Sequence, residues 1–172
     1  VPRRSAGIVL YRIREGGPEV LLVHPGGPFW SRRDEGAWSI PKGEHDEDED
    51  PLTCALREFE EELGTRPPTR PPNRPPTPLP PTTAPVELGT VRQRGGKLVS
   101  AWAVEGDLDV GGVRSNTFEL EWPPRSGVRR EFPEIDRAEW FALEPAREKI
   151  LAAQAELLDR LAAHLAGQPP GG

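Results

Sequence analysis

The chain has 172 residues, with 22 Lys and Arg against 28 Asp and Glu, a net charge of −6 at pH 7, and 35% hydrophobic residues. That length suits one domain with a real core, while no apolar run reaches the roughly 18 residues of a membrane span and no long basic block marks a general nucleic-acid binder. The single cysteine, Cys54, excludes an internal disulfide and points to a reducing cytoplasm.

Residues 5–13 and 19–23 read as strands joined by the turn Glu15-Gly16-Gly17-Pro18, and their near-continuous apolar runs predict burial on both faces. The chain before them carries no signal-peptide pattern. Absence of methionine, a start at Val1 and richness in Ala, Gly, Pro and Arg are expected of a GC-rich bacterial genome. Residues 24–36 form a Gly- and Pro-containing loop that holds Phe29 and Trp30. Trp38-Ser39-Ile40 is expected as a short strand leading into Pro41-Lys42-Gly43, and Glu44 to Asp50 as a solvated acidic loop. A calcium loop is excluded there, because Pro51 and Arg57 stand where such a loop needs Gly and Glu.

Asp50 caps and Pro51 opens a helix that Gly64 ends. Residues 66–85 then hold 10 prolines and a repeated Arg-Pro-Pro. Such a segment forms neither helix nor central strand. It is expected as an exposed polyproline-type insertion in a single domain covering residues 1–172, open to a partner that reads Pro-rich segments. Residues 86–93 and 97–105 pair around Gly95-Gly96. Residues 106–115 form a loop, 117–122 a strand that Pro123-Pro124-Arg125-Ser126-Gly127 breaks, and 138–142 the last strand. One helix is expected from Pro145 to Gly167, with Ile150, Gln154, Leu157, Leu158, Leu161 and Leu165 as its stripe.

The chemistry concentrates on the helix that begins at Pro51. Glu58, Glu61 and Glu62 fall at i, i+3 and i+4 and share one face. Leu52, Leu56, Phe59 and Leu63 mark a second, apolar face. Carboxylates about 5 Å apart repel by roughly 3 kcal/mol per pair at an effective dielectric of about 20. A hard divalent cation, Mg²⁺ or Mn²⁺, would remove that repulsion. Lys42 is a lone cation beside this helix and is expected to contact an anionic ligand; Lys97 and Arg125 are further candidates. Trp38, Trp102 and Trp140 fall on strands and read as core, whereas Trp30 and Trp122 border loops and can stack on a nucleobase. His24, His45 and His164 show no metal-ligand spacing, and Cys54 reads as a small filler.

From Gly43 through Glu49, Arg57, Glu58, Phe59, Glu61, Glu62 and Gly64 the chain resembles the Nudix box, G-x5-E-x7-R-E-U-x-E-E-x-G-U with U a bulky apolar residue; Thr65 departs from it at the last position. The resemblance implies an α/β (α+β) fold, a mixed β-sheet sandwiched between helices with a loop-helix-loop box. It also implies a Mg²⁺- or Mn²⁺-dependent hydrolase of nucleoside diphosphates linked to another moiety. Glu58, Glu61 and Glu62 would bind metal with the Gly43 carbonyl, and Glu62 would be the most central. Arg57 would orient the glutamates and pair with Glu49. Residues 132–141 resemble the segment of dinucleoside-polyphosphate-cleaving members in which a Glu precedes a Trp-bearing last strand. This makes Glu134 a candidate base or further ligand, with a box glutamate as the competing base. The small-molecule nucleotide expected is a dinucleoside polyphosphate first, then a nucleoside triphosphate, then an ADP-ribose-type compound. The alternative is a catalytically idle fold used as a nucleotide sensor or partner-binding module. Monomer and homodimer both remain open.

Overall fold

The computed structural model describes residues 3–65 and 84–167. Residues 66–83 of the expected Pro-rich insertion lie outside them. Eight strands form: β1 (Arg4–Arg14), β2 (Gly17–Pro25), β3 (Lys42–His45), β4 (Val86–Arg92), β5 (Leu98–Glu105), β6 (Thr117–Glu121), β7 (Arg129–Pro133) and β8 (Ile135–Ala142). Three α-helices join them: α1 (Pro51–Leu63), α2 (Leu143–Lys149) and α3 (Ala155–Ala166).

The main sheet runs β4-β5-β1-β2-β8, with β3 also on β1, while β6 and β7 make a separate hairpin. Strand β1 is parallel to β5 and antiparallel to β2 and β3, so the sheet is mixed. The apolar runs of β1 and β2 are buried on both faces. Ala6, Ile8, Leu10, Leu21 and Val23 pack with Phe59 and Leu63 of α1, and Val9, Tyr11, Val20 and Leu22 pack with Leu157, Leu158 and Leu161 of α3. Helices therefore cover both faces, as the resemblance implies.

Two strands share one edge of β1. Residues 11–14 pair with β2, and residues 4–7 pair with β3. Between these stretches β1 and β2 splay apart, and residues 38–42 fill the gap: Ser39 exchanges backbone hydrogen bonds with Val23, and Ile8 N–H donates to the Pro41 carbonyl at 3.1 Å. The expected strand at residues 38–40 is accordingly only a pair of isolated bridges, Val23–Ser39 and Trp38–Ile150. The regular strand lies later, at Lys42–His45, and takes the start of the expected acidic loop.

The helix expected from Pro145 to Gly167 is broken. The Ile150 N–H closes α2, but Leu151 N–H leaves the helical ladder and donates to the Trp38 carbonyl at 2.7 Å, a short 3₁₀ turn follows, and α3 restarts at Ala155. Pairing with the inserted segment overrides the 3.6-residue pattern. Strand β7 was not expected; it exists by pairing with β6, with Phe118 opposite Phe132. Trp38 is buried as expected, whereas Trp102 and Trp140 are half-buried against the α1-side cluster.

Candidate active site

Helix α1 begins as its sequence dictates. The Asp50 carboxylate accepts the Thr53 N–H, Pro51 occupies the first turn, and Gly64 closes the helix at φ 74° with its N–H on the Glu60 carbonyl. Phe59 and Leu63 are fully buried on the sheet side, and Leu52 and Leu56 pack at the margin. This burial fixes the rotation of α1 and turns Glu58 toward Gly43 and Glu62 toward Lys42 of β3, while Glu61 stays exposed beside Arg57. A Cβ on Gly43 would stand 1.9 Å from the Glu58 carboxyl carbon, so only glycine lets the two elements approach this closely.

Arg57 organises the acids. Its Nε and Nη2 donate to the two oxygens of Glu49 at 3.0 Å each, a bidentate pair, while Nη1 donates to Glu58 at 2.9 Å and to Glu61 at 3.2 Å. The Glu49 hydrogen bonds, with help from Glu61 and Glu58, raise the Arg57 pKa further above its ordinary value against the opposing effect of burial. Glu62 points elsewhere: its Oε2 accepts the Lys42 backbone N–H at 3.3 Å. Burial pushes the Glu62 pKa up to about 8; Lys42 opposes the rise, and Glu58 and Glu134 add to it. Burial also raises Glu58, with Glu61 and Glu134 contributing. The Lys42 ammonium is lowered by burial and by Lys97, against Glu62, Glu44 and Glu58.

A cleft of about 230 Å³ opens beside the segment that fills the gap between β1 and β2. Trp30, Lys42, Glu62 and Glu134 line it together with Val23, Ser39, Ile40 and Leu151. Four of the residues singled out from sequence thus converge on one space. Glu134 sits between β7 and β8, where its N–H donates to the Asn116 carbonyl and its carbonyl accepts the Gly26 N–H, both at 2.8 Å. Lys97 stands beside Lys42 and pairs with Glu44 at 3.3 Å. Arg125 is exposed at the tip of the β6–β7 hairpin, with φ 62°, and does not line the cleft.

Sequence patterns did not reveal the cleft's supporting polar groups. Gln154 is fully buried; its Oε1 accepts the Ile40 N–H at 3.1 Å, and its Nε2 donates to Ser39 Oγ at 3.2 Å. A polar residue within an apolar stripe was the available signal. His24 is also fully buried, 2.7 Å from Asp136 through Nδ1 and 2.6 Å from the Arg33 carbonyl through Nε2. Cys54 is a buried thiol, raised to about 11 by burial first. Its Sγ donates weakly to the Gly43 carbonyl at 3.5 Å.

The donor set that the resemblance implies is all oxygen: Glu58, Glu62, Glu61 and the Gly43 carbonyl. Burial first, and neighbouring acids second, raise the Glu58 and Glu62 carboxyls, and Arg57 and Lys42 only partly oppose the rise. Among the described residues no three His, Cys, Asp or Glu side chains already form a closed metal centre, because Glu58 and Glu61 direct oxygens at Arg57. A hard divalent cation that keeps several waters, and takes only one or two carboxylates together with substrate phosphate oxygens, would fit such a half-built site.

The NUDIX domain family matches residues 1–161. An RNA pyrophosphohydrolase of Rhodospirillum rubrum is 46% identical over 67 residues, 38% of this chain and 39% of that protein. An mRNA-decapping protein of African swine fever virus is 70% identical over 27 residues, 16% of this chain and 11% of that protein. The matched stretches thus span well under half the length of these relatives. A Caenorhabditis elegans (C. elegans) Ap4A hydrolase in a binary complex superposes with a TM-score of 0.62 at 24% identity, covering 95% of this chain and 99% of that one.

Proposed function

The chain belongs to the Nudix family, and from that premise we propose that it is a pyrophosphohydrolase that cleaves a phosphoanhydride in a nucleoside diphosphate linked to a second moiety. Dinucleoside polyphosphates are the favoured substrates, ahead of nucleoside triphosphates and ADP-ribose-type compounds, with Mg²⁺ or Mn²⁺ as cofactor. The observation that carries this reading is the half-buried Glu62, held at the cleft wall by the Lys42 N–H with Glu58 and Glu134 in electrostatic reach. The names of two similar proteins, an Ap4A hydrolase and an RNA pyrophosphohydrolase, support a phosphate-chain substrate.

Glu58, Glu61, Glu62 and the Gly43 carbonyl would hold a divalent ion, which would supply charge neutralisation on the phosphates and activation of water. The chain's own residues do the rest. Arg57 holds Glu58 and Glu61 beside one another on α1, and Glu49 anchors Arg57. The Lys42 ammonium, with Lys97 near it, offsets the negative field of the acids for an incoming phosphate. Trp30 offers a ring wall to a base. In this reading Glu134, which lines the cleft with Glu62, takes the proton of the attacking water, with a box glutamate as the competing base. The buried, unpaired Cys54 suits a reducing compartment such as the cytoplasm.

A substrate panel with Mg²⁺ and Mn²⁺, covering triphosphates, dinucleoside polyphosphates and nucleotide sugars with products identified by mass, tests the assignment. Glu62→Gln is expected to lower turnover at least about 100-fold with the fold intact, because it removes one carboxylate from the ion's immediate surroundings. Unchanged turnover in that variant would refute the site.

A further inference from the structure

The cleft accounts for one nucleotide, and the surface beside it carries a second feature. Among the described residues only three large hydrophobic side chains are strongly exposed, and two of them, Phe29 at 62% and Val128 at 48%, flank Trp122. The Phe29 ring stands edge-on to Trp122 with centroids 5.4 Å apart. The Trp122 N–H in turn donates to the Val128 carbonyl at 2.9 Å. The register of β6 and β7, with Phe118 opposite Phe132 and Leu120 opposite Arg130, gives this hairpin one mainly apolar face. The Phe118 ring lies against Gly27 and so covers the base of that face, while its outer end stays open.

This strip begins where the cleft ends. Phe29 precedes Trp30, a cleft wall, and the foot of the hairpin is bonded to Gly26 at Glu134. Six residues of extended chain put Val128 on the order of 20 Å from Glu134. The strip therefore lies beyond a nucleotide in the cleft but within the same continuous surface. Its rim is cationic: Arg32, Arg125 and Arg130 are exposed, and none of the three makes an ion pair among the described residues. Open aromatic faces with unpaired guanidinium groups are the chemistry that receives a base on a phosphate chain.

We infer that Phe29, Trp122 and Val128 seat the second nucleobase of a dinucleoside polyphosphate whose first nucleotide lies in the Glu62 cleft. The inference rests on the hydrolase reading above and narrows its substrate class. A single-stranded RNA fits less well. The strip holds one base, and the opposite face of the hairpin carries Glu119 and Glu131 against any continuing phosphodiester.

The test compares diadenosine tetraphosphate with ATP on the full chain. Phe29→Ala and Trp122→Ala are expected to raise KM for the two-base substrate about tenfold with kcat unchanged, and to leave both constants for ATP as they were. Trp122→Phe should retain wild-type behaviour, and thermal melts check that each variant is folded. An equal effect on both substrates, or none on either, overturns the inference. So does a selective loss of affinity for a 5′-triphosphorylated oligoribonucleotide, or conversion of a dimer to monomer, with diadenosine tetraphosphate unaffected. Should the wild-type protein hydrolyse neither compound, the hydrolase reading is decided separately by the wider substrate panel, while the strip is judged by direct binding. A dissociation constant for diadenosine tetraphosphate that weakens in Phe29→Ala, with that for ATP unmoved, upholds it, and any other pattern rejects it.

Discussion

Glu62 shows how function and stability oppose each other at a single position. Its pKa stands at about 8 in the fold against an ordinary value of 4.5. Between those pH values the folded chain holds a proton there that the unfolded chain has lost, so stability falls as pH rises through the window. Glu62→Gln removes that penalty. Chemical denaturation in chelator should find the variant more stable than wild type at pH 8, by on the order of a few kcal/mol, and equal to it below about pH 4. A variant that gains nothing at pH 8 would show that Glu62 is not desolvated. The carboxylates themselves were readable in the sequence because spacing on one helix fixes their common face. Gln154 and His24 were not, because their partners Ile40 and Asp136 lie more than a hundred residues away.

Helix α1 and strand β3 form the working unit, and they can be separated by mutation. Phe59 is fully buried under the sheet, so Phe59→Ala should cost about 3–5 kcal/mol of stability in urea titrations, with a cavity left at the helix–sheet contact. Gly43→Ala acts on the geometry instead. A methyl group at Gly43 meets the Glu58 carboxylate, and displacing that group by about 1 Å can lower turnover roughly 100-fold. The expected signature is a large loss of turnover with a smaller loss of stability than Phe59→Ala shows. Elements set by local signals were legible: the Asp50 cap, the Gly64 stop, and the β1–β2 and β4–β5 pairs with their Gly-containing turns. Elements set by distant pairing were not. The strand at Lys42–His45 depends on β1, the break after Lys149 depends on Trp38, and β7 depends on β6. Lys42, Leu151 and Glu134, which line the cleft, lie in or just after those three elements, so the site's chemistry was more readable than its shape.

At the scale of the whole domain, the mixed sheet and its two helical layers follow from the doubly buried runs of β1 and β2. The Pro-rich residues 66–85 connect Gly64 and Val86, both held in regular structure. Because loop-closure entropy changes slowly with length, replacing that segment by a shorter Gly-Ser linker should leave kcat on the preferred nucleotide unchanged. A collapse of turnover in steady-state assays would give the segment a part in catalysis. No helix among the described residues is long and apolar enough to cross a membrane. One guanidinium group touches Glu49, Glu58 and Glu61 together. Arg57 is thus a covalently attached counter-ion, which lets the acidic cluster assemble before any cation arrives. Folding and cation loading become separable events. The melting midpoint should survive chelation, moving only by the small amount that mass action returns when divalent salt is added back.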